Sequence, residues 1–308
     1  MDIELIERFL FSVIRVSTPL IFGALAACIT RKAGLLNLAV ESMMLAAALM
    51  GVLVSGATQS LFLGLLAGFA ASLLIAMALS YSAFVLKCDL YLTCIAFNTA
   101  LVGGTVFVMF LATGQKANTA NDVASMFVGN WNIPFIKDIP ILGEIISGHN
   151  ILTYIAFLMI FLVWFLLYKT KIGLRIRSVG ENPQAAESVG IAPKKIYFLA
   201  FGISSLLSAL GGMYMSMGYL TWFARDMMAG RGFISLSAMN IASGEPLGAS
   251  IAAILFGSAD ALSNYMQMGS FPSELISMFP YICTIVLLVV ISLIRTVQAT
   301  PKRGNAKS

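Results

Sequence analysis

The sequence predicts an all-α polytopic membrane protein with about 8–10 transmembrane helices and a short cytoplasmic helix. Hydrophobic residues make up 59% of the 308 residues and charged residues 11%, whereas soluble domains average roughly 45–50% and 25%. Apolar runs of about 20 residues recur along the chain, the helical length that crosses ~30 Å of hydrocarbon. The runs do not alternate in the manner of barrel strands. Composition and run length therefore exclude both a soluble domain and a β-barrel.

Eight apolar runs are long enough to span a bilayer. They lie at 9–30, 35–54, 61–86, 90–112, 151–168, 196–218, 246–266 and 273–294. A shorter stretch at 229–244, which contains Gly and Ser, either crosses the membrane or turns back inside it, so the number of spans stays open. No low-complexity linker interrupts the chain, and we expect one transmembrane domain over residues 1–308.

Lysine and arginine residues set the predicted orientation, because cytoplasmic loops carry an excess of them. The basic clusters lie at Arg31 and Lys32, at Lys87, in the segment 169–195 and in the tail 295–307. Placing all four in the cytoplasm makes 229–244 a crossing and puts the N-terminus and the loop 113–150 outside. The net charge of +5 then reflects topology, and no nucleic-acid partner is expected.

The sequence gives no sign of catalytic chemistry. His149 is the only histidine and has no nucleophile or metal ligand at useful spacing, so we expect a solvated loop residue. The P-loop pattern G-x-x-x-x-G-K is absent, which indicates that the chain does not itself hydrolyse ATP. The four cysteines are isolated in or beside apolar segments, and they imply no metal, cofactor or disulfide. We therefore expect a transport protein that is not an enzyme.

Residues 182–189 predict the short cytoplasmic helix. Asn182 is a strong N-cap, Pro183 suits the first helical position, and Gly190 can adopt the left-handed conformation that ends a helix. One interpretation is a connecting loop that happens to be helical. The other is a coupling helix, a rigid knob that docks in the groove of a partner protein. Its expected exposed face carries Ala185, Ala186 and Val189.

Four blocks of sequence carry a resemblance to a known family. They are GLRIRSVGENPQAA at 173–186, TRKAGLLNLAVESMML at 30–45, GRGFISL at 230–236, and the run from Pro246-Leu247-Gly248 to Leu255-Phe256-Gly257. In order and spacing, these blocks resemble ABC-importer permeases of the branched-chain amino acid, ribose and nucleoside group. The likeness is greatest to the shorter permease of nucleoside and simple-sugar importers. Ser42 replaces a family glycine and Thr30 replaces an acidic residue, so local packing or substrate choice can differ there.

The resemblance implies a multi-pass permease subunit of an ABC importer in the bacterial cytoplasmic membrane. It would move a nucleoside or related small polar solute inward, using ATP hydrolysed by a partner subunit. The implied partners are an ABC ATPase, a second permease subunit and an extracytoplasmic substrate-binding protein. A ribose-type sugar, a branched-chain amino acid and an ion-coupled mechanism remain the alternatives. Coupling to the ATPase would fall to Glu181, Asn182, Pro183, Gln184, Ala185, Ala186 and Glu187.

Polar residues inside the apolar runs are candidates for the substrate pathway. A charge in the membrane costs roughly 2.5–3.5 kcal/mol, so Glu41 is expected to face the bundle or a cavity, with helix capping or snorkelling as the alternative. Asn98, in the middle of a span, either contacts solute or hydrogen-bonds another helix. The predicted pathway residues are Asn37, Glu41, Phe97, Asn98, Thr99, Asn240, Ser243 and Glu245.

Overall fold

The structure is a computed structural model that describes residues 3–123, 125–132 and 142–266, together with residues 282, 283, 285, 286 and 289. Eleven named α-helices and one π-helical segment lie in this described part. They are α1 Ile3–Lys32, α2 Val40–Thr58, α3 Leu61–Phe84, α4 Leu90–Thr113, α5 Leu142–Ile146, α6 Ile151–Lys169, α7 Lys171–Glu181, α8 Pro183–Ser188, α9 Pro193–Met213, the π segment Tyr214–Tyr219, α10 Arg231–Ile241 and α11 Pro246–Met266.

Seven of the described helices are long and apolar enough to cross a membrane: α1, α2, α3, α4, α6, α9 with its π segment, and α11. This confirms the all-α polytopic prediction. Most predicted runs agree with a helix to within a few residues at each end. The predicted span at 273–294 lies outside the described residues, apart from five isolated positions.

The second helix begins later than its apolar run predicts. The run starts at residue 35, but residues 33–39 are not helical and α2 begins at Val40. Gly34 has a φ of +81°, and the chain turns there from α1 back into the bundle. Asn37 then lies beside Ser204, which is halfway along α9. The α1–α2 link is therefore re-entrant, and α2 starts inside the bundle.

The short stretch at 229–244 forms α10, a helix of 11 residues. Such a helix is about 16 Å long, roughly half of the hydrocarbon thickness. Before it, Thr221 hydrogen-bonds the loop residue Ser125; after it, Gly244 packs on Arg31 at the other end of the bundle. The crossing is therefore half non-helical chain and half helix, so helix length alone does not identify it.

The two ends of the bundle differ in charge. One end brings together the C-terminus of α1, the segment Lys169–Lys195 and the α10–α11 link, as the contact between Lys32 and Glu245 shows. The other end holds the start of α1 and the described residues of the loop 113–150, where Phe11 stacks on His149. The first end contains the basic clusters that lie in the described part of the chain, so the positive-inside rule makes it cytoplasmic.

Helix α1 lies at the centre of the bundle and contacts α6, α9, α10 and α11. Close packing depends on glycine, as is common between membrane helices. A side chain at Gly257 of α11 would overlap Ser17 of α1, and one at Gly212 of α9 would overlap the backbone of Met44 in α2. Helices α3, α4 and α6 lie outside this core and expose many large apolar side chains.

Candidate functional site

Glu41 joins the two helices that begin inside the bundle. It lies in the first turn of α2, and its side chain is buried. Its Oε1 accepts a hydrogen bond from the N–H of Gly230, and its Oε2 accepts one from the N–H of Gly232, each at 2.7 Å. Gly230 is the N-cap of α10, so the carboxylate faces the positive end of that helix. The environment of Glu41 is therefore a helix cap between α2 and α10.

Three further polar side chains hold the re-entrant start of α2 in place: Asn37, Ser204 and Asn98. Asn37 Nδ2 donates to Ser204 Oγ at 3.2 Å, and Asn37 Oδ1 accepts from the N–H of Ala39. Asn98 of α4 donates to the Leu38 carbonyl at 2.9 Å and accepts from the N–H of Ser42 at 3.2 Å. The bonds to the Leu38 carbonyl and to the N–H groups of Ala39 and Ser42 satisfy backbone groups inside the membrane, where an unpaired group is costly. Asn37, Glu41 and Asn98 thus form one cluster.

The remaining predicted pathway residues lie apart from this cluster. Phe97 is half-buried and packs against a small core that includes Phe201. Thr99 is exposed and donates to the carbonyl of Ile95 in its own helix. Asn240 and Ser243 are exposed around the C-terminus of α10. The structure therefore groups three of the eight predicted residues, and the role of all eight as a substrate pathway stays a prediction.

Glu245, the eighth residue, belongs to a cluster at the cytoplasmic end that we call the cytoplasmic clamp: Lys32, Tyr168 and Glu245. Lys32 Nζ lies 2.5 Å from Glu245 Oε1, and the Tyr168 hydroxyl donates to the same carboxylate at 2.6 Å. Burial opposes ionisation of Glu245, but these two hydrogen bonds outweigh it and hold the pKa of its carboxyl below the usual value. The clamp joins α1, α6 and the α10–α11 link.

A cavity of about 770 Å³ opens beside the clamp on the cytoplasmic side. Its walls include the clamp residues together with Arg31, Arg177 and Glu181. Arg177 of α7 lies over the ring of Tyr168, with its guanidinium carbon 4.9 Å from the ring centroid. This contact connects α7 to the clamp.

The predicted short helix is present as α8, Pro183–Ser188. Asn182 is its N-cap, and Asn182 Oδ1 accepts hydrogen bonds from the N–H groups of Gln184 and Ala185 at 3.0 Å each. Gly190 has a φ of +84°, in the left-handed region expected after a helix end. The exposed residues of the segment are Glu181, Asn182, Pro183, Gln184, Ala185, Glu187, Ser188 and Val189. Their contact with an ATPase stays a prediction.

The expected exposure of Ala186 is wrong. Ala186 is only 4% exposed, because α8 packs with this face against α7 and α9. Ala185 and Val189 are exposed as expected, and Val189 reaches 75%. Any partner of α8 would therefore contact the side that carries Ala185 and Val189.

Helix α7, Lys171–Glu181, was not predicted, because this segment was expected to be a cytoplasmic loop. Its buried face carries Gly173, Ile176 and Val179, and this helical spacing between charged residues is the signal that could have revealed it. Gly180 packs directly on the α1–α2 link, where any side chain would overlap the carbonyl oxygen of Lys32. The arm that carries α8 therefore rests on the re-entrant link.

His149 is buried, contrary to the expected solvated loop histidine. It is 3% exposed, its ring stacks on Phe11 with centroids 4.0 Å apart, and its Nε2 donates to the carbonyl of Ile145 at 2.8 Å. Burial lowers the pKa of His149, and the positive charge of Arg15 lowers it further. The described residues 142–150 fold over the outer end of α1 and so remove this side chain from water. No group of three or more potential metal ligands occurs among the described residues.

Comparison with known proteins places this arrangement in a family. Residues 9–290 match the family described as branched-chain amino acid transport system / permease component. The guanosine ABC transporter permease protein NupQ of Bacillus subtilis is 34% identical over 284 residues, 88% of each chain. The nucleoside ABC transporter permease protein NupC of Lactococcus lactis subsp. cremoris is 30% identical over 283 residues, also 88% of each chain.

A third relative is named for a different substrate. The putative glucose ABC transporter permease protein TsgC13 of Haloferax volcanii is 27% identical over 298 residues, which is 89% of this chain and 88% of the relative. No solved structure is significantly similar to the chain. The family match covers most of the chain, and the described helices have the length and composition of membrane spans. The chain therefore belongs to the ABC-transporter permease family named for branched-chain amino acid transport, and it is a multi-pass protein of the cytoplasmic membrane.

Proposed function

We propose that this chain is the permease subunit of an ABC importer for nucleosides, and that an ATPase subunit docks on α8 to drive it. The observation that carries the proposal is the exposed, capped helix α8 at the basic end of the bundle. Six helical residues are too few to be stable alone. The Asn182 cap, the packing of Ala186 and the contacts with α7 and α9 hold it, as a rigid docking element requires.

A continuous set of contacts supports transmission of movement from α8 into the bundle. Helix α7 directly precedes α8, and Gly180 of α7 rests on the backbone at Lys32 and Gly34. That link leads within a few residues to Asn37 and Glu41, which fix the start of α2. Displacement of α7 on ATP binding would therefore move the α1–α2 link and the start of α2.

The contact between α2 and α10 extends this path to the other half-length element. Glu41 holds the N-terminus of α10, and the C-terminal end of α10 leads to Glu245 of the cytoplasmic clamp. Arg177 of α7 also touches the clamp through Tyr168. Helix α10 is thus connected to the coupling arm at both ends. In the proposed cycle, rearrangement of α10 and the clamp opens the passage towards the 770 Å³ cytoplasmic cavity.

The substrate assignment rests on the relatives. NupQ and NupC are named for guanosine and nucleoside transport, and both are at least 30% identical over 88% of the chain. A sugar is the second candidate, because TsgC13 aligns over a similar share of the chain at 27% identity.

An ion-coupled mechanism is less well supported by the positions of the carboxylates. Two of the carboxylates within the described spans, Glu41 and Asp260, have fixed partners, which are backbone N–H groups and Arg231 respectively, so these two are not free proton carriers.

The proposed assembly contains this chain, a second and different permease subunit, an ABC ATPase and an extracytoplasmic substrate-binding protein. Hydrolysis of ATP belongs to the ATPase, so this chain supplies the passage and the docking helix without catalysis of its own. The resemblance of the sequence to nucleoside and simple-sugar permeases supports the paired permeases. Membership of a transport-system family supports the remaining partners.

Docking is tested by Ala185→Arg. Ala185 is the third residue of α8, and its side chain is exposed. An arginine there would block the docking face without entering the protein core. We expect normal membrane abundance, loss of ATPase co-purification and loss of uptake. The matched control is Ala120→Arg, an exposed alanine at the outer end, which should retain ATPase co-purification. Normal co-purification and uptake in Ala185→Arg would remove the docking assignment.

The substrate is tested by uptake in cells that produce the complete importer. Radiolabelled guanosine should accumulate only when this chain, the second permease, the ATPase and the binding protein are all present. Glucose, ribose and leucine serve as competing solutes. Competition by one of these at concentrations where unlabelled adenosine has no effect would overturn the nucleoside assignment and leave the family membership intact.

A further inference from the structure

A cavity at the outer end of the bundle plays no part in the coupling path. It has a volume of about 180 Å³ and lies between α1, the loop that precedes α6 and the π segment after α9. Its main lining residues are Phe11, Arg15, Asn130, His149, Tyr214 and Tyr219. π-Helical turns are rare and often mark functional positions. The segment Tyr214–Tyr219 supplies one wall of this cavity.

Arg15 is the charged group of the cavity. It lies within the spanning part of α1, and its guanidinium carbon is 4.1 Å from the centroid of the Tyr219 ring. No carboxylate of the described residues forms an ion pair with it, whereas Arg231 pairs with Asp260. A cation in a membrane span is costly and normally faces a partner or a polar cavity. Arg15 is therefore available to a ligand.

The other walls are flat and fixed. The rings of Phe11 and His149 stack at an interplanar angle of 13°, and His149 is held by the Ile145 carbonyl. The Asn150 side chain is held in place, since it donates to the Val128 carbonyl and accepts from the N–H of Leu152. Asn130 differs, because it is exposed and its side chain makes no hydrogen bond with another described residue. The cavity thus offers rigid aromatic faces and one free amide.

We propose that this outer cavity is a receiving site for a planar heteroaromatic ring that accepts hydrogen bonds, the base of the solute in the proposed function. Arginine presents a planar fork of donors that suits carbonyl oxygens and ring nitrogens on one edge of such a ring. The half-buried rings of Phe11 and Tyr219 each keep one face that neither His149 nor Arg15 covers, and the Asn130 amide supplies both a donor and an acceptor. The inference rests on the proposed nucleoside substrate.

The volume of the cavity is large enough to enclose only part of a nucleoside. Pockets that bury a whole drug-sized ligand measure roughly 300–1,000 Å³, so about 180 Å³ admits one ring system while the sugar stays outside. An anion such as inorganic phosphate would also bind Arg15. It would make no use of the stacked rings or of the Asn130 amide, and for this reason we favour the planar ring.

The first test is Arg15→Ala in the complete importer. Losing a charge-assisted hydrogen bond costs enough for an expected fall of about 10-fold or more in the maximal rate of guanosine uptake, at normal membrane abundance. Arg15→Lys keeps the charge without the planar fork and should recover only part of the rate. The control is Arg8→Ala, which removes an exposed arginine from the same helix. Equal uptake by Arg15→Ala and Arg8→Ala would overturn the inference.

The second test reports on the cavity directly. Asn130→Cys should react with a membrane-impermeant maleimide added outside, and guanosine-loaded binding protein should slow that reaction relative to the unloaded binding protein. Slowing by inorganic phosphate alone would assign the cavity to an anion and overturn the planar ring. If the wild type imports guanosine but loaded binding protein leaves the labelling rate unchanged, the receiving site is wrong and the proposed function stands. If the wild type imports no nucleoside, the proposed function fails, and the nucleoside base as ligand fails with it.

Discussion

Replacing Glu41 by leucine removes the acceptor of two N–H groups at the start of α10, of which that of Gly232 is buried and that of Gly230 partly buried. A hydrogen bond to a charged group contributes about 1.5–3 kcal/mol, so the two together account for about 3–6 kcal/mol. Glu41→Gln keeps one acceptor oxygen and the side-chain volume, and it loses the charge and the second acceptor. We therefore expect a loss of roughly half that size for glutamine.

The measurement combines thermal denaturation of the detergent-solubilised protein with membrane abundance and guanosine uptake. The expected order of stability is wild type, Glu41→Gln, Glu41→Leu, and the leucine variant should lose uptake or assembly. Glu4→Leu is the matched control, because Glu4 is an exposed carboxylate in the first turn of α1 and should tolerate the same change.

A second variant approaches the same contact from the other helix. A Cβ atom at position 232 would lie 2.7 Å from Glu41 Oε2, so Gly232→Ala should separate α10 from the carboxylate. Once Glu41 is leucine, the additional cost of Gly232→Ala should be smaller than in the wild type. The reasoning is refuted if Glu41→Leu keeps the melting temperature, abundance and uptake of the wild type.

Three further predictions concern other parts of the bundle. In a background without native cysteines, a cysteine at Ser188 should react with an impermeant maleimide only from the cytoplasm and one at Asn121 only from outside; reaction of both from one side would contradict the topology. Tyr168→Phe should lower the free energy of unfolding by less than about 1 kcal/mol, because the cytoplasmic clamp is partly solvated. The same change should raise ATP hydrolysis by the complete importer in the absence of solute. Hydrolysis at the wild-type rate would remove the clamp from the coupling path. Because the pKa of His149 is lowered on folding, stability should fall as the pH drops below the usual histidine value of about 6.5, and His149→Phe should melt with a weaker dependence on pH between 7.5 and 5.5.

Hydropathy predicted the long helices because a bilayer span has a fixed length and needs an apolar surface. It failed at the start of α2, where the re-entrant residues around Leu35, Leu36 and Leu38 are as apolar as the helix that follows. Hydropathy averaged over a window of residues is the same for a lipid-facing helix and for non-helical chain whose backbone groups are hydrogen-bonded by side chains of other helices. The partners here are Ser204 and Asn98, more than 50 positions away in sequence.

Local rules succeeded where the controlling contacts are local. The cap at Asn182 and the left-handed Gly190 follow from residue type alone. The burial of Ala186 does not, because it depends on where α7 and α9 pass. The candidate pathway residues also depend on contacts that residue type alone does not reveal. Intramembrane polarity identified Glu41, but only the fold shows that its partners are the backbone N–H groups of Gly230 and Gly232.

The contact between Gly180 and the α1–α2 link has a consequence for protein engineering. Two backbones touch there, and Gly34 has a φ of +81° that other residues adopt only with strain. A chimaera that exchanges only residues 169–195 with a related permease would pair a foreign surface with this turn. The exchange should succeed more often when residues 30–34 are transferred together with the arm, because the two segments form one interlocking part. If the ATPase docks on this arm as proposed, we expect its specificity to move with the two segments together and not with residues 169–195 alone.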